Sequence, residues 1–138
     1  MSWLDSTAAL DLTDLPTHLV VVGGGYVGCE LAQMYRRFGA EVTILQRADR
    51  LLPGEDPDVS QVIEEVFSEE GIDVRTATAP DTVAPHPDGG VILTVGGEDL
   101  KASHLLIATG RTPNTDRLDP DAAGIATDDG GFVTVDET

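Results

Sequence analysis

Three glycines, Gly23, Gly25 and Gly28, follow the apolar run His18-Leu19-Val20-Val21-Val22 at the spacing G-x-G-x-x-G. Each suits a different need of a phosphate ligand. Gly23 lets the chain reverse tightly as it leaves a strand, and Gly25 keeps side-chain atoms away from an approaching pyrophosphate. Gly28 lets the following helix lie close to the strand. The amides at a helix start are unpaired donors at the positive end of the helix dipole, so a diphosphate fits beside Tyr26 and Val27, the two residues between the last glycines. A glycine pattern alone is weak. A buried strand before it and an amphipathic helix after it make the pattern a dinucleotide site.

The adenosine ribose of such a ligand meets the end of the second strand, where enzymes that prefer NAD usually carry an acid for the two ribose hydroxyls. Eighteen residues beyond Gly28, that position is Gln46, followed by Arg47, with Arg50 three further on. A carboxylate would repel a 2′-phosphate. A neutral amide beside a guanidinium admits it, and the guanidinium binds phosphate through paired hydrogen bonds. The chain has only 8 Lys and Arg residues, so two arginines within four positions are a local concentration. These residues favour NADP over NAD.

Other chemistries find less support. Cys29 is the single cysteine, which excludes an internal disulfide and a cysteine metal cluster. Its place in the first helical turn would let the dipole lower its pKa, but a small buried residue packed on the sheet is the better reading. His18, His86 and His104 have no metal-ligand spacing, and no metal site is expected. Asp and Glu number 25, giving a net charge of −17. Such a surface repels nucleic acid and anionic membranes, so neither is expected as a partner. The acidity fits a protein adapted to high salt, where repulsion is screened. There is no signal peptide and no membrane-length apolar run, so a cytoplasmic location is expected.

The elements that would position these residues alternate. After the strand at 18–22, Val27, Leu31, Met34, Tyr35 and Phe38 form the apolar stripe of a helix capped by Gly39, and Glu41-Val42-Thr43-Ile44-Leu45 is a second strand. Asp56 caps a second helix with Pro57 at its first position, and Val59, Val62, Ile63, Val66 and Phe67 mark its stripe. Gly71 ends it, and a third strand follows at 72–75. Short strands near 82–83, 91–95 and 99–102, separated by glycine turns, read as an antiparallel meander. A strand at 104–108 closes the unit, and a weak strand is expected at Phe132-Val133-Thr134-Val135. The expected class is α/β, a Rossmann-like parallel sheet with a βαβαβ unit plus a three-stranded antiparallel meander. Residues 1–15 read as a lead-in segment outside the core, 16–112 as the NAD(P)-binding domain, and 113–138 as a return segment.

Three stretches, GGGYVGCELAQMYRRFGAEVTIL, LLPGEDPDVSQVIEEVFSEEGIDV and HLLIATGRTPNTDRL, together resemble the pyridine-nucleotide domain of the FAD-dependent pyridine nucleotide-disulfide oxidoreductases. The resemblance covers nearly the whole chain, and its wording is nearest to the mercuric reductase and dihydrolipoamide dehydrogenase branches. It implies that Tyr26 is the aromatic lid over the flavin face and that Glu30 helps place the nicotinamide. It implies that Gly110 is a close backbone approach to the cofactor, and Arg111 the arginine where the chain returns toward a flavin domain. The family's redox-active cysteine pair, its first flavin-binding glycine motif and its dimerisation domain have no counterpart in these 138 residues. The resemblance therefore implies an excised NAD(P)H-binding piece that positions NADPH for hydride transfer to FAD, with no catalytic residue of its own. FAD and dimerisation domains of a homodimeric parent would be its partners. A stand-alone NAD(P)-sensing module would share the glycine turn but has no use for the ATGR-x-PN segment. A methyltransferase fits Gln46-Arg47 poorly.

Overall fold

In the computed structural model, which describes residues 3–135, four parallel strands form one sheet and three antiparallel strands another. The chain runs through α1 (Ser6–Leu10), β1 (His18–Val22), α2 (Tyr26–Phe38), β2 (Glu41–Leu45), α3 (Pro57–Glu69) and β3 (Asp73–Arg75). It continues through β4 (Thr82–Pro85), β5 (Val91–Val95), β6 (Glu98–Ala102) and β7 (His104–Ile107). The parallel order is β3-β2-β1-β7, with Val20 opposite both Thr43 and Leu105. The second sheet is the expected meander, β4-β5-β6.

The unbroken apolar run of β1 follows from burial on both sides. Leu19 and Val21 join the helices in one core cluster, together with Val42, Ile44 and Leu106. Val20 points the other way, where Leu45 and Leu105 pack against Val91, Leu93 and Ala102 of the meander. The glycine turn at the end of β1 therefore emerges from a strand with no exposed face.

Three expectations about burial are corrected. Phe38 does not join the stripe of α2: it is 66% exposed, and the buried residues are Gly28, Cys29, Leu31, Ala32 and Tyr35. Small residues at 28, 29 and 32 let the helix settle close to the sheet along a seam one residue later than the apolar pattern suggests. In α3, Val59 and Val62 face solvent while Ser60 and Phe67 are buried. A hydrogen bond from the Ser60 hydroxyl to the Leu51 carbonyl (2.7 Å) turns that face inward. The lead-in segment is also part of the core. Ala9 is 1% exposed, and Leu4 bridges in parallel to Leu106 on the free edge of β7, with hydrogen bonds to Leu105 and Ile107.

The helix ends follow their sequence signals. Gly39 takes the left-handed conformation (φ 108°), and the Ala40 amide reaches back to the Tyr35 carbonyl at 3.0 Å. Asp56 precedes α3, with Pro57 opening the helix, but its side chain makes no capping hydrogen bond. The strand expected at 132–135 is reduced to one isolated bridge between Thr127 and Val133, and the return segment otherwise forms two 3-10 turns. The last three residues of that segment lie outside the described residues. Among the described residues no helix is long and apolar enough to cross a membrane.

Candidate functional site

The glycine turn sits where β1 runs into α2, between the C-terminal ends of β2 and β7. Gly23 has φ 112°, and a Cβ there would strike the Ala108 carbonyl at the end of β7. Tight reversal and close approach thus both require glycine. A Cβ on Gly28 would collide with the Gly23 carbonyl and press on Val21. Above Gly25 there is open space, with nothing within 4 Å of the Cβ it lacks. The two outer glycines are needed by the protein itself, whereas the middle one leaves room for something else.

The start of α2 is short of acceptors. Cys29 is the first residue whose amide closes a helical hydrogen bond, to the Gly25 carbonyl at 2.9 Å. Among the described residues, the amides of Gly25, Tyr26, Val27 and Gly28 have no partner, and Gly25 supplies no side-chain cap. Four donors at the positive end of a helix dipole form a ready anion site.

Around the turn lies a cleft of about 800 Å³. Of the residues singled out from sequence, Gly23, Gly25, Tyr26, Val27, Gln46, Arg47, Gly110 and Arg111 line it. Tyr26 is 63% exposed and lines the cleft. Arg47 is exposed and takes part in none of the ion pairs found among the described residues. Gly28, Glu30 and Arg50 lie outside the lining. Gly28 is beneath the turn, and Glu30 is exposed on α2. The Arg50 guanidinium donates to the Pro53 carbonyl at 3.1 Å, beside the Asp49 carboxylate, so it closes its own loop.

Gln46 has a structural task that its sequence position does not announce. It is 8% exposed, its Oε1 accepts from the Gly24 amide at 3.0 Å, and its Nε2 donates to the Arg50 carbonyl at 3.3 Å. Other lining residues were missed altogether. Asp5 and Ser6 arrive from the lead-in segment, Thr78 and Ala79 from the loop after β3, and Phe132 from the return segment. The Thr78 amide donates to the Gln46 carbonyl at 2.9 Å, holding that loop against the end of β2. No periodicity marks these residues, since tertiary pairing alone brings them to the cleft.

Cys29 lies behind the turn, its thiol 3.6 Å from the Gly24 carbonyl. Burial pushes the thiol up to about 11, and the charges of Glu30 and Glu64 add to the effect. Any lowering by the helix dipole is outweighed, and Cys29 is a packed neutral residue.

Comparison with known proteins gives a consistent result. The sequence model of the family described as pyridine nucleotide-disulphide oxidoreductase matches residues 1–138. Mercuric reductase from Streptomyces lividans is 45% identical over 142 residues, covering 99% of this chain and 29% of that protein. Dihydrolipoyl dehydrogenase from Haloferax volcanii is 38% identical over 137 residues, covering 96% and 29%. The HOCl-induced flavoprotein disulfide reductase RclA from Escherichia coli, solved as a Cu(II) complex, superposes with a TM-score of 0.84 at 39% identity. That match covers 97% of this chain and 31% of the solved one. The chain thus spans less than a third of the length of these relatives.

Proposed function

The chain belongs to the pyridine nucleotide-disulphide oxidoreductase family, and from that premise we propose that it binds NADPH and presents the nicotinamide to FAD in a mercuric reductase-like or dihydrolipoamide dehydrogenase-like enzyme. The observation that carries the reading is the row of four unpartnered amides at Gly25, Tyr26, Val27 and Gly28 beneath open space. A pyrophosphate bridges such donors through charge-assisted hydrogen bonds, and glycine at position 25 lets it come within bonding distance.

The ends of the ligand follow from the two sides of the cleft. The adenosine lies toward β2, where Arg47 is available for a 2′-phosphate and Thr78 and Ala79 border the base. Arg50 becomes a second contact if it leaves Pro53. The nicotinamide lies toward the end of β7, near Gly110 and Arg111, with the Tyr26 ring over the mouth as a displaceable cover and Glu30 further along α2 as an orienting acid. The bound nucleotide supplies the hydride; this chain contributes binding, orientation and exclusion of water. The sequence holds one phosphate turn of this kind, which we give to the pyridine nucleotide, leaving the flavin and dimer contacts of a homodimer to the rest of the relatives' length. The same reading takes the −17 charge as adaptation to a salty cytoplasm.

Calorimetric titration with NADPH and NADH tests the reading. Tighter binding of NADPH is expected; equal affinities would overturn the assignment of Arg47, and no binding of either would overturn the site.

A further inference from the structure

The glycine turn does not support itself. Gly24, between the two glycines that reverse the chain and face the ligand, has both backbone groups committed elsewhere. Its amide donates to Gln46, and its carbonyl accepts from the Leu52 amide at 2.8 Å. Leu51 is fully buried, and its δ-carbon fills the place a Gly24 side chain would occupy. The segment Leu51-Leu52 is therefore the floor on which the turn rests.

That floor is itself suspended from α3. The Leu51 amide donates to Glu64 Oε1 at 2.9 Å, and the Leu51 carbonyl accepts from the Ser60 hydroxyl at 2.7 Å. Ser60 and Glu64 are four residues apart, hence neighbours on one face of the helix. Ser60 is 1% exposed, so its hydroxyl has no water in exchange. Leu52 has φ 47°, a left-handed conformation that a leucine keeps only when its surroundings impose it. Two side chains gripping the backbone N–H and C=O of the preceding residue, Leu51, provide that constraint. They also explain why α3 buries a serine while exposing Val59 and Val62.

We propose that Ser60 and Glu64 are positioning residues for dinucleotide binding, acting through Leu51 and Leu52 on Gly24 to hold the amides of Gly25 to Gly28 at the pitch a diphosphate needs. The proposal rests on the dinucleotide reading above and assigns its geometry to a helix that touches no part of the ligand. Glu64 acts through the acceptor oxygen rather than its charge, because its partner is a backbone amide.

The test compares two ligands across three variants of the full chain. Ser60→Ala and Glu64→Leu should each weaken NADPH by about five- to tenfold. Adenosine 2′-phosphate, which has no pyrophosphate, should bind them within about twofold of the unsubstituted chain. Glu64→Gln keeps the acceptor and should retain affinity for NADPH. Amide hydrogen exchange at Gly24 and Leu52, measured without ligand, should quicken in Glu64→Leu and not in Glu64→Gln. Equal losses for both ligands would mean general loosening and overturn the proposal. NADPH affinity unchanged in Ser60→Ala and Glu64→Leu would overturn it alone. An unsubstituted chain that binds no NADPH would remove the functional reading and this inference together.

Discussion

Gly28 lies so close under the carbonyl of Gly23 that even a methyl group on it would overlap that oxygen. The obstacle is backbone, which cannot swing aside like a side chain. Gly25, three residues earlier, meets nothing within 4 Å. Two glycines of one motif thus answer to different demands, and alanine separates them. Gly28→Ala should destabilise the fold by about 1–3 kcal/mol, the usual cost of overpacking. Gly25→Ala should leave the melting temperature within a few degrees while weakening NADPH by at least about tenfold. Thermal unfolding and calorimetry on both variants check the separation; a Gly25→Ala variant with full affinity would remove the pyrophosphate from this turn.

Arg47→Ala should weaken NADPH by about 10- to 100-fold, the range for loss of a charge-assisted hydrogen bond of about 1.5–3 kcal/mol. NADH should be nearly unaffected, since it has no group for the guanidinium to grip. The measurement is a pair of titrations, and parallel losses for both nucleotides would count against a 2′-phosphate contact.

Cys29 should be slow to react with thiol reagents in the native protein and fast in denaturant. Its folded value of about 11 lies above the ordinary 9.0. A raised thiol favours the neutral form in the fold, so its contribution to stability is complete below pH 9 and is lost as the pH rises toward 11. Urea unfolding midpoints across that window should fall more steeply for the unsubstituted chain than for Cys29→Ala.

Arg37 reaches Glu70 across the C-terminal ends of α2 and α3 at 2.5 Å, and Gln33 donates to the same carboxylate at 3.0 Å. The hydrogen bond from Arg37 holds the Glu70 carboxyl below its ordinary value of 4.5. A lowered carboxylate contributes its stability above that value and loses it as the pH falls through the folded value. Glu70→Gln should therefore lower stability slightly at neutral pH and leave it nearly unchanged at the acid end, so that the acid limb flattens, with the small loss expected of a solvent-facing pair.

With a net charge of −17, repulsion should oppose compaction in dilute buffer and be screened in strong salt. The melting temperature should climb between about 0.05 and 2 M KCl, as the screening length contracts toward ~3 Å. Chloride is the cleaner choice because sulfate also acts by surface exclusion. A flat curve would leave the acidity without a salt explanation.

The first βαβ unit was legible because its constraints are local. A strand buried on both faces leaves an unbroken apolar run, and a backbone collision at Gly28 admits one residue type. The meander was legible from its glycine turns. The face of α3 was not, because Ser60 is buried through a partner nine residues earlier in the loop, a hydrogen bond with no period. The pairing of Leu4 with Leu106 joins segments far apart in the sequence and leaves no mark in either. Gln46 stands out in sequence by its place after β2, but its bond to Gly24 spans 22 positions and depends on the three-dimensional fold.

That bond also restricts how position 46 can be changed under the proposed NADPH reading. An engineer seeking an NADH-selective form would first install an acid after the second strand, at position 46. There the new carboxylate would still accept from Gly24 but would face the Arg50 carbonyl that Gln46 now donates to, oxygen against oxygen in a nearly closed space. The residue that reads as the selectivity position is also a joint of the scaffold. On the proposed reading, a change of nucleotide, by design or by descent, has to pass through Arg47 first.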